Sequence, residues 1–254
     1  MVANAKLIGW GARVLYLGPA LGLTPHRNAT GVLAVALDGE LEVADDPADP
    51  NGAYRCVRSV LIPPNTLHHL RVASGSMAFL YVDPLSRDLD ALRARMLDLA
   101  PRAAFGLINE TAVIEALTGL VEDRIAVRDG RQALGALLGI GTRADTDVRI
   151  VAALRQMRDE PHRSHSLTEL GAHAGLSASR FLHLFKAETG VPLRRYRLWN
   201  RMGAAVGAFH DGMSLTEAAH AAGFASSAHF SAAFRDMFGM MPSELLKALQ
   251  PVQH

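Results

Sequence analysis

SLTELGAHAG (residues 166–175) and SLTEAAHAAG (residues 214–223) are two versions of one segment, and their reading decides the fold of the C-terminal half. Each opens on a serine and places a glutamate three residues later, Ser166 with Glu169 and Ser214 with Glu217. That spacing is a capping box: the hydroxyl accepts from a free N–H of the first helical turn and the carboxylate reaches back to the serine N–H. Each segment runs about two turns and stops at Gly175 or Gly223, where a helix can end in the left-handed conformation. The correspondence continues with one residue inserted: Phe181 matches Phe230, Phe185 matches Phe234, Lys186 matches Arg235 and Gly190 matches Gly239. Each copy is thus a short capped helix, a glycine turn and a second helix of about three turns, which is the plan of a helix-turn-helix.

Between the copies Pro192 suits a helix start and Asp211-Gly212 a stop. About 17 helical residues there span roughly 25 Å, the right order to hold two recognition helices about one DNA turn, roughly 34 Å, apart. One helix–glycine–helix unit is usually just a hairpin in a core. Two at this spacing point to DNA. Charge agrees: from Val148 onward twelve Lys and Arg face eight Asp and Glu, so the first 147 residues are mildly acidic although the chain totals +1.

The segment GFASSAHFSAAFRDMFGMMPSEL (residues 223–245) resembles the signature of the AraC family of transcription regulators, through Gly223, Phe224, Ser226, Phe230, Phe234, Arg235, Gly239 and Pro242. FKAETG (185–190) resembles the family's first unit. The resemblance covers about residues 148–250 and implies seven helices, two helix-turn-helix units and binding in the major groove of operator DNA, with RNA polymerase as a further partner if the protein activates. On the first recognition helix, about 177–189, Ser179, Arg180 and His183 face outward with Lys186 beyond; Arg180 and His183 can donate to guanine or to phosphate. A solvated helix face is the alternative for each. On the second, about 226–237, Ser226, Ser227, His229 and Ser231 face outward, and Arg235 is the one strong cation. Ala228 and Ala232 stand where the family often has longer polar side chains, so the second unit is expected to position the protein more than to read bases. Arg194, Arg195, Arg197 and Arg201 crowd the linking helix. Arg194 and Arg195 are the candidates for phosphate, salt bridges on a solvated face being the other reading.

The N-terminal half reads as β-rich. Strands are expected at 12–18, 54–62 and 76–82, with a hairpin of 31–37 and 40–43 turning on Asp38-Gly39. Helices are expected at 86–100 and 111–127. The fold class is α+β: a cupin-like antiparallel barrel with following helices, then an all-α domain with two helix-turn-helix units. The domains are 1–138 for effector sensing and dimerisation, a linker at 139–147, and 148–254 for DNA. Residues 24–43 and 59–70 resemble the cupin-like sensor found before many AraC-type domains. Pro63, Asn65 and His68 fall at the spacing of the second cupin motif, with Asn for its glycine, and His26 falls at the first histidine of His-x-His, with Asn28 for the second. A metal site would want three or four His or Glu ligands; His26 and His68 are the motif histidines here, so no metal or other cofactor is expected, a divalent metal on His26 and His68 with water in the open positions being the lesser alternative. His26, Asn28 and His68 are the candidates to contact a small polar effector. The plainer alternative has His68 capping a turn and His26 packing near the barrel mouth.

The lone Cys56 excludes an internal disulfide and the reactive-cysteine chemistry of a DNA-repair methyl acceptor, and it reads as a core residue. With no leader and no apolar run of about 18 residues, the expectation is a cytoplasmic, non-enzymatic protein away from the membrane. The alternative is a cupin metalloenzyme fused to a DNA-binding domain. The apolar stripe of 111–125, centred on Leu117, is expected to pair two subunits as a homodimer, core packing being its rival.

Overall fold

A computed structural model describes residues 5–11, 13–49, 51–72, 75–82, 86–141 and 147–249. The strands are β1 (Lys6–Trp10), β2 (Arg13–Pro19), β3 (His26–Arg27), β4 (Val32–Ala36), β5 (Leu41–Ala44), β6 (Tyr54–Val57), β7 (Ser59–Ile62), β8 (Leu67–His68), β9 (Leu70–Arg71), β10 (Ser76–Tyr81), β11 (Met96–Leu99) and β12 (Ala104–Leu107). The helices are α1 (Asp88–Arg93), α2 (Glu110–Val121), α3 (Val127–Leu138), α4 (Val148–Asp159), α5 (Leu167–His173), α6 (Ala178–Thr189), α7 (Leu193–His210), α8 (Leu215–Ala221), α9 (Ser227–Phe238) and α10 (Pro242–Leu249).

An antiparallel sheet ordered β1-β2-β10-β4-β7-β12-β11 organises the N-terminal half. Strand alternation gives it two apolar faces. Leu15, Leu17, Leu33, Val35 and Leu80 point to one side, against Val113, Leu117 and Leu120 of α2 and Leu134 and Leu138 of α3. Tyr16, Ala34, Val60, Met77 and Phe79 point to the other, toward the small sheets β6-β5-β9 and β3-β8 and toward helices of the C-terminal half. The architecture is mixed α+β with β-sheets first and helices after. Among the described residues the strands form three separate sheets, not the closed barrel expected.

Several local expectations are corrected. The run 31–43 is not a hairpin: β4 pairs with β10 and β7, while β5 pairs with β6 and β9. Gly39, at φ +70°, is where the chain turns from one sheet into another. The single strand expected over 54–62 divides at Arg58 for the same reason, β6 joining the small sheet and β7 the large one. The helix expected over 86–100 is only α1; Met96–Leu99 pairs with β12 at the sheet edge, leaving Leu97 71% exposed. A short apolar run does not distinguish strand from helix. α2 stops at Val121 because Asp123 turns left-handed at φ +56°, and Arg124 N–H and Ile125 N–H both donate back to Gly119 O. The α2 stripe is consumed inside the chain, with Leu117 3% exposed, so it is not the subunit contact expected of it. Cys56 is exposed rather than core, since β6 lies outside the main layers. Most of the expected linker, 142–146, lies outside the described residues.

Candidate nucleic-acid interface and interdomain cavity

Both capping boxes form. Ser166 Oγ accepts from Glu169 N at 3.1 Å and Glu169 Oε2 accepts from Ser166 N at 2.7 Å; the Ser214–Glu217 pair repeats this at 3.3 and 2.9 Å. Hydrogen bonding to the capping serine lowers both carboxyls, through the Ser166 N–H foremost at Glu169 and through the Ser214 side chain foremost at Glu217. After the turns at Gly175 (φ +64°) and Gly223 (φ +83°), Ser177 caps α6 and Ser226 caps α9. Both second helices end on a left-handed glycine, Gly190 and Gly239. α7, with 18 residues, connects the two units.

On α6 the side chains of Ser179, Arg180, His183 and Lys186 are exposed, while Phe181 and Phe185 are sealed against α4, α5 and α7. On α9 His229 and Arg235 are exposed, as are Ala228 and Ala232, and Ser227 and Ser231 are half-buried. Ser226 is half-buried and caps α9, its hydroxyl accepting from His229 N at 3.1 Å while its own O–H stays available to donate. Only Arg194 among the four linker arginines is exposed. Arg197 donates to His165 O; Arg201 donates to Pro161 O and Ser164 Oγ, tying α7 to the loop before α5. Arg195 donates to Arg27 O and lies 3.7 Å from Asp236 of α9, so its guanidinium is engaged at the junction of the two halves rather than held out toward a phosphate.

Arg195 belongs to a joint that the sequence did not announce. Thr24 N–H and Thr24 Oγ1 both donate to Gly239 O, at 2.7 and 2.9 Å, and Ala5 N–H donates to Ala248 O at 3.0 Å. A methyl at Gly239 would stand 2.4 Å from His26 Nδ1 and 2.5 Å from Thr24 O. The C-terminus of the second recognition helix is thus seated on β3 and the loop before it.

His26 and His68 are cross-strand partners in β3 and β8, their rings 4.2 Å apart and each 4% exposed. Each donates Nδ1–H to a carbonyl two residues back, Thr24 O at 2.7 Å and Thr66 O at 2.9 Å. Nε2 of His68 is then an acceptor, and Asn28 Nδ2 donates to it at 3.3 Å. Burial disfavours the charged rings, lowering His26 to about 4 and His68 to about 3. Asn65, in the place of the motif glycine, takes φ +57°, a conformation asparagine tolerates; its N–H donates to Asn28 O at 2.9 Å. The structure therefore brings the three expected residues together, with Asn28 Oδ1 buried and without a hydrogen-bond partner. His69 points away, Nε2 donating to Leu23 O at 3.0 Å and Nδ1 accepting from Tyr54 Oη at 2.8 Å. Among the described residues no group of three or more His, Cys, Asp or Glu is placed to hold a metal.

A cavity of about 630 Å³ lies elsewhere, between β1, β2 and β10 on one side and α7, α9 and α10 on the other. Tyr16, Phe79, Tyr81, Trp199, Phe234 and Phe238 form its aromatic wall. Composition gave no hint of it, because its lining residues are dispersed along the chain and read as ordinary core.

These features define a class: a β-sheet domain packed on an all-helical domain with two helix-turn-helix units joined by one long helix. Residues 170–248 match a family described as a helix-turn-helix domain. Over 79 residues the chain is 35% identical to the probable transcriptional regulator LumQ of Photobacterium leiognathi, a match covering 31% of this chain and about a third, 32%, of that relative. Over the whole chain the fold is similar to ToxT of Vibrio cholerae, with TM-score 0.60 and 12% identity over 98% of both chains. A wild-type ToxT structure bound to an unsaturated fatty acid matches at TM-score 0.55 and 14% identity over 100% of both. Residues 170–248 are thus a helix-turn-helix domain, and no helix among the described residues is long and apolar enough to cross a membrane.

Proposed function

We propose that the chain is a sequence-specific, DNA-binding transcription regulator of the AraC type whose operator affinity is set by a small molecule held between its halves. The observation that carries this reading is the pair of capped units on α7, with Ser179, Arg180, His183 and Lys186 exposed on one recognition helix and His229 and Arg235 on the other. The name of LumQ supports the regulatory role. The fatty acid of ToxT supports an effector, and here the interdomain cavity is the space for it. In this reading residues 1–138 sense, 139–147 link and 148–254 bind DNA. The sheets belong to an open cupin-like sandwich, and the His26–Asn28–His68 cluster borders the joint that relays the effector. The protein is cytoplasmic and non-enzymatic. It works as a homodimer through a surface other than the stripe of α2, and an activating form would also meet RNA polymerase.

The test is selection of bound duplexes from random DNA by the full chain, followed by titration of the winner and a scrambled duplex across salt. Specific binding predicts a preference of about 10³ or more and a linear fall of log affinity with log salt. Equal affinity for both duplexes refutes sequence-specific regulation.

A further inference from the structure

The charge of the cavity narrows what it takes. Among the described lining residues only Lys6 is charged. Its ammonium is already engaged, 2.6 Å from Asp123 Oδ1 and donating to Leu120 O at 2.8 Å, so it offers its stem rather than its charge to the space. Tyr16 Oη donates to Pro19 O at 2.9 Å. Burial raises the titration of both Tyr16 and Tyr81, the direction expected of surroundings that disfavour a negative charge. A carboxylate brought in here would lose its water and gain no free cation among the described residues.

The mouth is also built for entry. Leu7 and Gly9 of β1 and Gly203 and Gly207 of α7 line the cavity and are exposed. The two helix glycines lie four apart, hence on one face. Glycine in a helix interior is disfavoured relative to alanine. Neither position needs it for close packing, since a methyl at either would meet nothing within 4 Å among the described residues. Their missing side chains leave the mouth open.

Resting on the effector reading above, we propose that this cavity takes an uncharged, predominantly apolar small molecule, a ring or chain bearing at most a hydroxyl or ester, and discriminates against carboxylates. Its volume lies within the range of ordinary small-molecule pockets, and its aromatic wall offers faces and edges to a flat ring.

The experiment uses the full chain and two matched pairs of probes: decanol with decanoate, and naphthalenemethanol with naphthoate. Binding is read at neutral pH by Trp199 fluorescence and thermal shift, with Trp10→Phe removing the second tryptophan signal. The alcohol of a pair should bind at least tenfold more tightly than its acid, and decanoate should gain affinity as pH falls toward its own titration. Gly203→Leu, or Gly207→Leu should the first misfold, should abolish alcohol binding by filling the mouth. An acid that binds as tightly as its alcohol, and is blocked by the same leucine, overturns the discrimination while leaving the effector site in place. No binding by any probe, or alcohol binding indifferent to both leucines, removes the cavity itself as the effector site, and the proposal with it.

Discussion

Replacing Gly239 by alanine measures the joint between the halves, because the internal repeat supplies its own control. Gly190 and Gly239 cap equivalent helices at φ +70° and +74°. An L-residue there costs about 1–2 kcal/mol. At Gly190 nothing lies within 4 Å of the added methyl, so Gly190→Ala should cost only that. At Gly239 the methyl meets His26 Nδ1 at 2.4 Å and Thr24 O at 2.5 Å, one of them a backbone atom. Overpacking of this kind adds about 1–3 kcal/mol, for a total of about 2–5 kcal/mol. At about 2–4 °C per kcal/mol for a chain of this size, Gly239→Ala should lower the melting temperature by roughly 10 °C and Gly190→Ala by a few degrees. Adding His26→Ala to Gly239→Ala should recover part of the loss, since the Thr24 carbonyl remains. Scanning calorimetry of the variants decides it. Equal shifts for the two glycines, or no recovery in the double variant, would falsify the claim that α9 is seated on β3.

Other outcomes follow from the same geometry. Burial lowers both His26 and His68 below their unfolded values, so the unfolded chain binds more protons; stability should be full above about pH 6.5 and fall as pH drops toward about 4. A His26→Gln, His68→Gln variant should show a flatter melting-temperature profile across that window, and an unchanged slope counts against the buried pair. Leu117→Ala should cost about 2–5 kcal/mol in urea unfolding, without changing the sedimentation coefficient of the folded protein; a folded monomer produced from a dimer would restore α2 as an interface. Arg194→Ala should reduce the salt slope of DNA binding by about 1, whereas Arg195→Ala should leave that slope alone and lower stability. Arg180→Ala and His183→Ala should each cost about 1–3 kcal/mol on cognate DNA and less on scrambled DNA; equal losses on both mean phosphate contacts.

The C-terminal helices were legible because their signals are local. Ser166 with Glu169 and Ser214 with Glu217 cap within three residues, and Gly175 and Gly223 turn where they stand. The N-terminal half was legible as β but not in its pairing. Which sheet β5 joins depends on β6 and β9, up to some thirty residues away, and nothing in the Asp38-Gly39 turn records that. The His26–Asn28–His68 association was readable through motif spacing, and Asn65 keeps the motif's backbone while changing its residue. The joint at Gly239 was half visible: its left-handed cap was readable from the repeat, whereas the ring of His26 pressed against it, 213 positions away in the chain, was not.

The two copies of the repeat differ in portability. Phe181 and Phe185 pack within a core drawn from residues 150–196, so the first unit carries its packing with it. Phe230 and Phe234 share a core with Tyr81, Met77 and Val60 of the main sheet. An exchange of residues 215–238 alone would therefore remove part of another domain's wall, and a chimera made that way has to bring its own sheet. The second copy is answerable on its reverse face to the main sheet, where the first answers only to its neighbouring helices.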